Sequence, residues 1–169
     1  QRNLTITGEL DAATLDISGD IDVDGTSNLD IVDIDVSLDV NGTIKLDGDY
    51  PTGSNNVALG DTALDSVEAG GVSNTVIGSV AGTAITTGDS NIAIGHEALK
   101  TNTTAGENTA IGTSSLRDNT AGCRNVAIGQ NAMLVNTEGC FNTAVGRAAL
   151  DANTTGDRNV AIGLSALGS

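Results

Sequence analysis

Large rings are almost missing from this chain: 169 residues contain one Phe (Phe141), one Tyr (Tyr50) and no Trp. A compact core normally leans on aromatic side chains, because each removes a large apolar area from water. A round core of that kind is therefore excluded, and burial falls to many Ile, Val, Leu and Ala side chains. Proline and methionine occur once each, at Pro51 and Met133. Positive charge is scarce too, with seven Lys and Arg against 22 Asp and Glu, a formal net charge of −15. Without a basic patch or basic residues interleaved with aromatics, nucleic acid is not an expected partner. No apolar run nears the ~20 residues of a membrane span and no signal peptide opens the chain, so membrane insertion is not expected. The first residue is Gln1 rather than Met, which points to a processed product or a piece of something longer.

What the chain does have is glycine, 22 residues of it, and repetition. The pentapeptide "NVAIG" occurs at 125–129 and 159–163, and variants of it begin at Asn56, Asn74, Asn91, Asn108 and Asn142. The seven starts are spaced by 18 residues once and then by 17. Self-similarity at a short fixed period marks a stacked-coil architecture. Counting each core Asn as the first place, Gly holds the fifth in every unit: Gly60, Gly78, Gly95, Gly112, Gly129, Gly146 and Gly163. Ile, Leu or Val holds the fourth place, and Ala the third except at Val76. The ninth is Leu or Met except at Gly82, and an Asn-Thr pair follows at Asn102, Asn119, Asn136 and Asn153.

This unit reads as a short strand, a Gly corner, a second short segment and an Asn-Thr-Gly corner, since Gly and Asn tolerate positive φ where a coil must turn. Seventeen residues are too few for a βαβ unit and enough for one coil of a parallel β-solenoid or β-roll. At about 4.8 Å per coil, seven coils predict a rod roughly 30 Å long. The seven core Asn residues are expected to form a ladder, each amide bonded to the next. In the strand, the second and fourth residues point opposite to the third. The Ile and Val places are expected to fill the coil, and the Ala place to let something pack closely outside. Strands apolar on both faces are normally covered on both, so a bundle of chains about an axis parallel to the rod is expected.

The seven cores, "N-[VTI]-[AV]-[ILV]-G", resemble the head repeats of trimeric autotransporter adhesins. The fuller unit, "NTAVGRAALDANTTGDRNVAIG", resembles more closely the repeats of bacteriophage tail fibres. The resemblance covers residues 56–169 and is specific because the motif recurs in phase. It implies an all-β homotrimeric fibre segment at a virion or cell surface, contacting other fibre or virion proteins and a host-cell receptor. The 17-residue unit is longer than that of the adhesin heads, which favours the phage fibre.

Residues 1–50 carry twelve of the acids, and within 13–49 the alternation is strict over long stretches, as in Ile34, Val36, Leu38 and Val40 with Asp or Ser between. Period two with "SG", "DG" and "NG" turns predicts an acidic β-rich stem ahead of the repeats at 51–169. "DIDVDG" at 20–25 opens like an EF-hand loop, but the twelfth position is Ile31 instead of the bidentate Glu. A solvated charged face that discourages edge pairing is the simpler reading.

Cys123 and Cys140 hold the same place in consecutive units, which stacking would bring within disulfide range. A structural disulfide, a pair of stacked thiols and a zinc site all remain open, although His96 lies nearly two units away. Arg124 and Arg158 share a column with Glu107. No "GxSxG" or "HExxH" occurs and no acid cluster repeats, so neither an enzyme nor a cofactor is expected. Besides the fibre, an adhesin head and an ice-binding solenoid displaying Thr103, Thr120, Thr137 and Thr154 are the competing expectations.

Overall fold

The computed structural model describes residues 53–168, so the stem expected over 1–50, with its DIDVDG stretch, lies outside the described residues. Seven three-residue strands follow one another: β1 Val57–Leu59, β2 Thr75–Ile77, β3 Ile92–Ile94, β4 Thr109–Ile111, β5 Val126–Ile128, β6 Thr143–Val145 and β7 Val160–Ile162. Each is bounded by the core Asn on one side and the corner Gly on the other. All seven lie parallel in a single sheet in sequence order. The register matches the repeat residue for residue, with Ala93 opposite Ala110 and Ile94 opposite Ile111. The described region is therefore an all-β solenoid with one motif copy per coil.

The strand's second-place N–H donates to the first-place carbonyl one coil on, as from Thr109 to Asn125 O at 2.8 Å. The fifth-place N–H donates back, as from Gly112 to Ile94 O at 2.7 Å. These rungs continue around the corners, so backbone groups find partners in neighbouring coils rather than in water.

The interior reverses one expectation about the strand. It is the third-place residue that points inward: Val76, Ala93, Ala110, Ala127 and Ala144 are fully buried. The second and fourth places face outward, leaving Ile92 39%, Ile128 37% and Leu59 50% exposed. Size decides this. The coil is thin, and the space opposite the strand is already filled by the ninth-place column of Leu64, Leu99, Leu116, Met133 and Leu150, with the eighth-place Ala63, Ala81, Ala98, Ala132 and Ala149 beside it. Where Leu or Met holds the ninth place only a methyl group fits beneath the strand, so Ala lies inside and the larger strand residues outside. Each buried Leu contributes about 1.5–3 kcal/mol relative to exposure.

The second coil solves the same packing problem differently. It has Val76 where the others have Ala, Gly82 where they have Leu or Met, and Ile85 where later coils have Asn. A Cβ on Gly82 would lie 3.0 Å from Ile85 Cδ1 and 3.3 Å from both Val76 methyls. Val76 and Ile85 thus occupy the volume that Leu takes elsewhere.

The corners are tight. Besides the fifth-place Gly, three further places in most coils have positive φ, illustrated by Arg124 (57°), Asn131 (59°) and Met133 (52°), the last of them held by Gly82 in the second coil. The left-handed region costs an ordinary L-residue roughly 1–2 kcal/mol, and the stacked rungs hold it there. The long first spacing is absorbed at one corner. Asn56 bonds a carbonyl 15 residues on, at Gly71, whereas Asn74 bonds one 14 residues on, at Gly88. Because Glu68 N–H already pairs with Thr86 O, the additional residue lies between Glu68 and Gly71.

Candidate functional site

The solenoid presents three side-chain arrangements that bear on function: two buried Asn columns, an outward apolar face and a polar corner column with the cysteines.

At the first place, each Asn amide oxygen accepts the backbone N–H of the Asn one coil on. The bonds run from Asn74 to Asn56, Asn91 to Asn74, Asn108 to Asn91, Asn125 to Asn108, Asn142 to Asn125 and Asn159 to Asn142, all at 2.8–3.0 Å. The amide nitrogen instead donates across the coil to a corner carbonyl, as from Asn125 to Gly139 O at 2.7 Å. Direct amide-to-amide bonds join only some steps of this column, including Asn91 to Asn74 at 3.1 Å. The regular side-chain ladder stands at the twelfth place: Asn119 donates to Asn102, Asn136 to Asn119 and Asn153 to Asn136, at 2.8–3.0 Å. Its signal was present in the sequence, since these four Asn residues recur with the same 17-residue spacing as the first column. Both columns are buried over the middle coils, where each amide is satisfied by the coil geometry itself. They therefore tie coils together and do not present an array to a ligand.

The fifth-place glycines stack directly on one another. Gly112 has φ 126°, and a Cβ there would lie 2.7 Å from the carbonyl carbon and oxygen of Gly129. The column continues through Gly60, Gly78, Gly95, Gly129 and Gly146, each beneath the next coil's glycine, and ends at Gly163.

The outward face consists of two parallel columns. One is Val57, Thr75, Ile92, Thr109, Val126, Thr143 and Val160; the other is Leu59, Ile77, Ile94, Ile111, Ile128, Val145 and Ile162. Neighbours shield each residue above and below, yet their tips stay partly exposed along the described coils, all β-branched except Leu59 and with Thr at three second places. Along the corner column Thr86, Thr120 and Thr137 donate their hydroxyls to the carbonyl of the Thr one coil on, at 3.1–3.2 Å, and Thr103, Thr120 and Thr154 are exposed.

The third arrangement lies just before the core Asn. Arg124 forms a two-point ion pair with Glu107 one coil below, at 2.8 and 3.1 Å. The guanidinium holds the Glu107 carboxyl below the usual carboxylate range, and the same bond raises Arg124. Arg158 does not join this pair. Arg124 and Arg158 instead bracket the Phe141 ring, each 5.4 Å from its centroid. The three stand 17 residues apart, so period alone would have placed Phe141 between them. Next to this column the sulfurs of Cys123 and Cys140 are 2.9 Å apart as free thiols. Hydrogen bonding to Cys140, with burial adding to it, pushes the Cys123 thiol up. Asp157 continues the column, its Oδ1 accepting the Cys140 N–H at 2.7 Å.

Among the described residues no three His, Cys, Asp or Glu side chains converge as a metal would require. His96 stands at the corner after β3, away from both cysteines. Two further pairs, Lys100 with Glu97 and Arg117 with Asp118, hold those carboxyls low by hydrogen bonding. Among the described residues no helix is long and apolar enough to cross a membrane. No protein-family model, curated protein or solved structure matches this chain.

Proposed function

We propose that this chain is a structural and adhesive segment of a bacteriophage tail fibre, wound as a homotrimer that spaces or presents host-receptor-binding regions on the virion. The observation that carries this reading is the outward stripe of two columns, β-branched except at Leu59. A thin coil whose interior is already filled by Ala and Leu has no internal use for a second apolar face. Water contact along the stripe is unfavourable at roughly 25 cal/mol per Å², and three identical rods about one axis would cover it with symmetric, in-register contacts. The in-phase resemblance of the motif to tail-fibre repeats gives that bundle its biological setting. The Asn columns suit a mechanical part, because they cross-link coils along the direction in which a fibre is loaded.

Mass in solution tests the reading. The full chain should sediment at three times its 16.8 kDa, and a monomer at micromolar concentration would overturn the proposal. Ile111→Asp should lower the mass while leaving the β-sheet circular dichroism intact, since Ile111 points outward. Loss of the sheet signal in that variant would assign Ile111 to folding instead of assembly.

A further inference from the structure

We propose that Cys123 and Cys140 are the two halves of a disulfide staple joining consecutive coils. The pairing does not depend on the fibre reading, since both cysteines belong to one chain and are positioned by the solenoid alone.

Three observations carry it. The chain has two cysteines in all, and they occupy adjacent positions of one column. Elsewhere that column holds Asp89, Gly106 and Asp157, so nothing in the coil itself demands a thiol there. The backbone then fixes both residues in stacked positions. Arg124 N–H donates to Gly106 O at 3.3 Å, Phe141 N–H to Cys123 O at 3.1 Å and Arg158 N–H to Cys140 O at 3.1 Å. Finally, the sulfurs face each other at 2.9 Å, and Cys140 Sγ also accepts the Cys123 N–H at 3.0 Å. A bond at about 2.05 Å needs a closing movement of only about 0.9 Å, and the coil rise of about 4.8 Å lies inside the Cα window for a disulfide. Both residues are partly exposed, which leaves them open to a small oxidant.

The oxidant is a low-molecular-weight disulfide such as oxidised glutathione. One cysteine, as its thiolate, attacks a glutathione sulfur, forms a mixed disulfide and releases one glutathione thiolate. The second thiolate then attacks the protein sulfur of that adduct, forming the Cys123–Cys140 bond and expelling the other glutathione. Two thiol protons and two electrons leave the protein, and one glutathione disulfide becomes two glutathione thiols. The staple would act on the characteristic weakness of a solenoid, in which coils depend on nearest neighbours and detach serially from an end. A covalent link between coils would stop detachment from passing that point.

The experiment incubates the full chain with excess oxidised glutathione and measures intact mass, free thiols and amide hydrogen exchange. The proposal expects a chain lighter by two hydrogens, no titratable thiol, and no change in oligomeric mass after reduction. Amide protection in residues 125–140 should rise relative to the reduced chain, and the rise should be absent from Cys123→Ser and Cys140→Ser. Two thiols persisting after equilibration would overturn it. So would a stable glutathione adduct, or a link between chains on a non-reducing gel. A disulfide that forms without altering exchange would retain the bond and reject its role as a stop.

Discussion

A missing Cβ is what permits one coil to lie on the next. At Gly112 two separate demands meet: a φ of 126° that ordinary residues adopt only at a cost, and the Gly129 backbone in the space a methyl group would fill. At Gly163 the first demand persists, with φ 123°, while the nearest atom to an added Cβ is Ala166 Cβ at 3.9 Å. The two sites therefore separate conformational strain from collision. Gly163→Ala should cost about 1–3 kcal/mol of local stability, and Gly112→Ala appreciably more. Urea denaturation of the two variants checks the order; equal losses would mean that stacking contributes nothing. Charge at this scale is subtler. The Arg124 guanidinium holds the Glu107 carboxyl below the usual carboxylate range, so the pair contributes when pH exceeds the unfolded value and is lost as pH falls through the folded one. An exposed pair of this kind is strongly screened, which makes titration a better readout than melting. The Glu107 carboxyl resonance should titrate below the ordinary Glu value in the native chain and return to it in Arg124→Gln.

Coils, the next scale up, tolerate exchange of residues only as sets. Val76, Gly82 and Ile85 fill the second coil as Ala, Leu and Asn fill the later ones. Gly82→Leu alone should destabilise, because its Cβ presses on Ile85 and Val76. Adding Val76→Ala and Ile85→Asn should recover much of that loss, leaving the triple variant more stable than the sum of the single changes by about 1–3 kcal/mol. Denaturation midpoints of the singles and the triple measure this coupling, and simple additivity would contradict it. The same packing explains what sequence could and could not reveal. The 17-residue period, the Asn and Gly columns and the parallel stacking are legible because each repeats in phase. Which strand face lies inside was not, because Ala and Ile are both apolar and alternation separates faces without naming them. The answer depends on how much room Leu99 or Met133 leaves across the coil, a distance that no single unit encodes. The twelfth-place ladder was hidden for another reason: Asn beside Thr and Gly looks like turn chemistry, and here it also serves between coils.

Over the whole described region, the molecule is a stack whose neighbours are nearly interchangeable. Its middle coils are covered above and below, with Ala93, Ala110, Ala127 and Ala144 fully buried. Stability in such a stack is a sum over neighbouring pairs, so each coil is held by the two beside it. The first coil adds a different lesson. It accepts one more residue than its successors between Glu68 and Gly71, and β1 still meets β2 in register, Val57 opposite Thr75. The strand and its Gly corner leave no comparable slack, because each glycine is pinned under another. The one change of length among the described coils thus falls at this edge of the stack. Insertions acquired there, coil by coil, would form a line of loops spaced by about 4.8 Å, a surface free to diversify while the scaffold beneath it keeps its count.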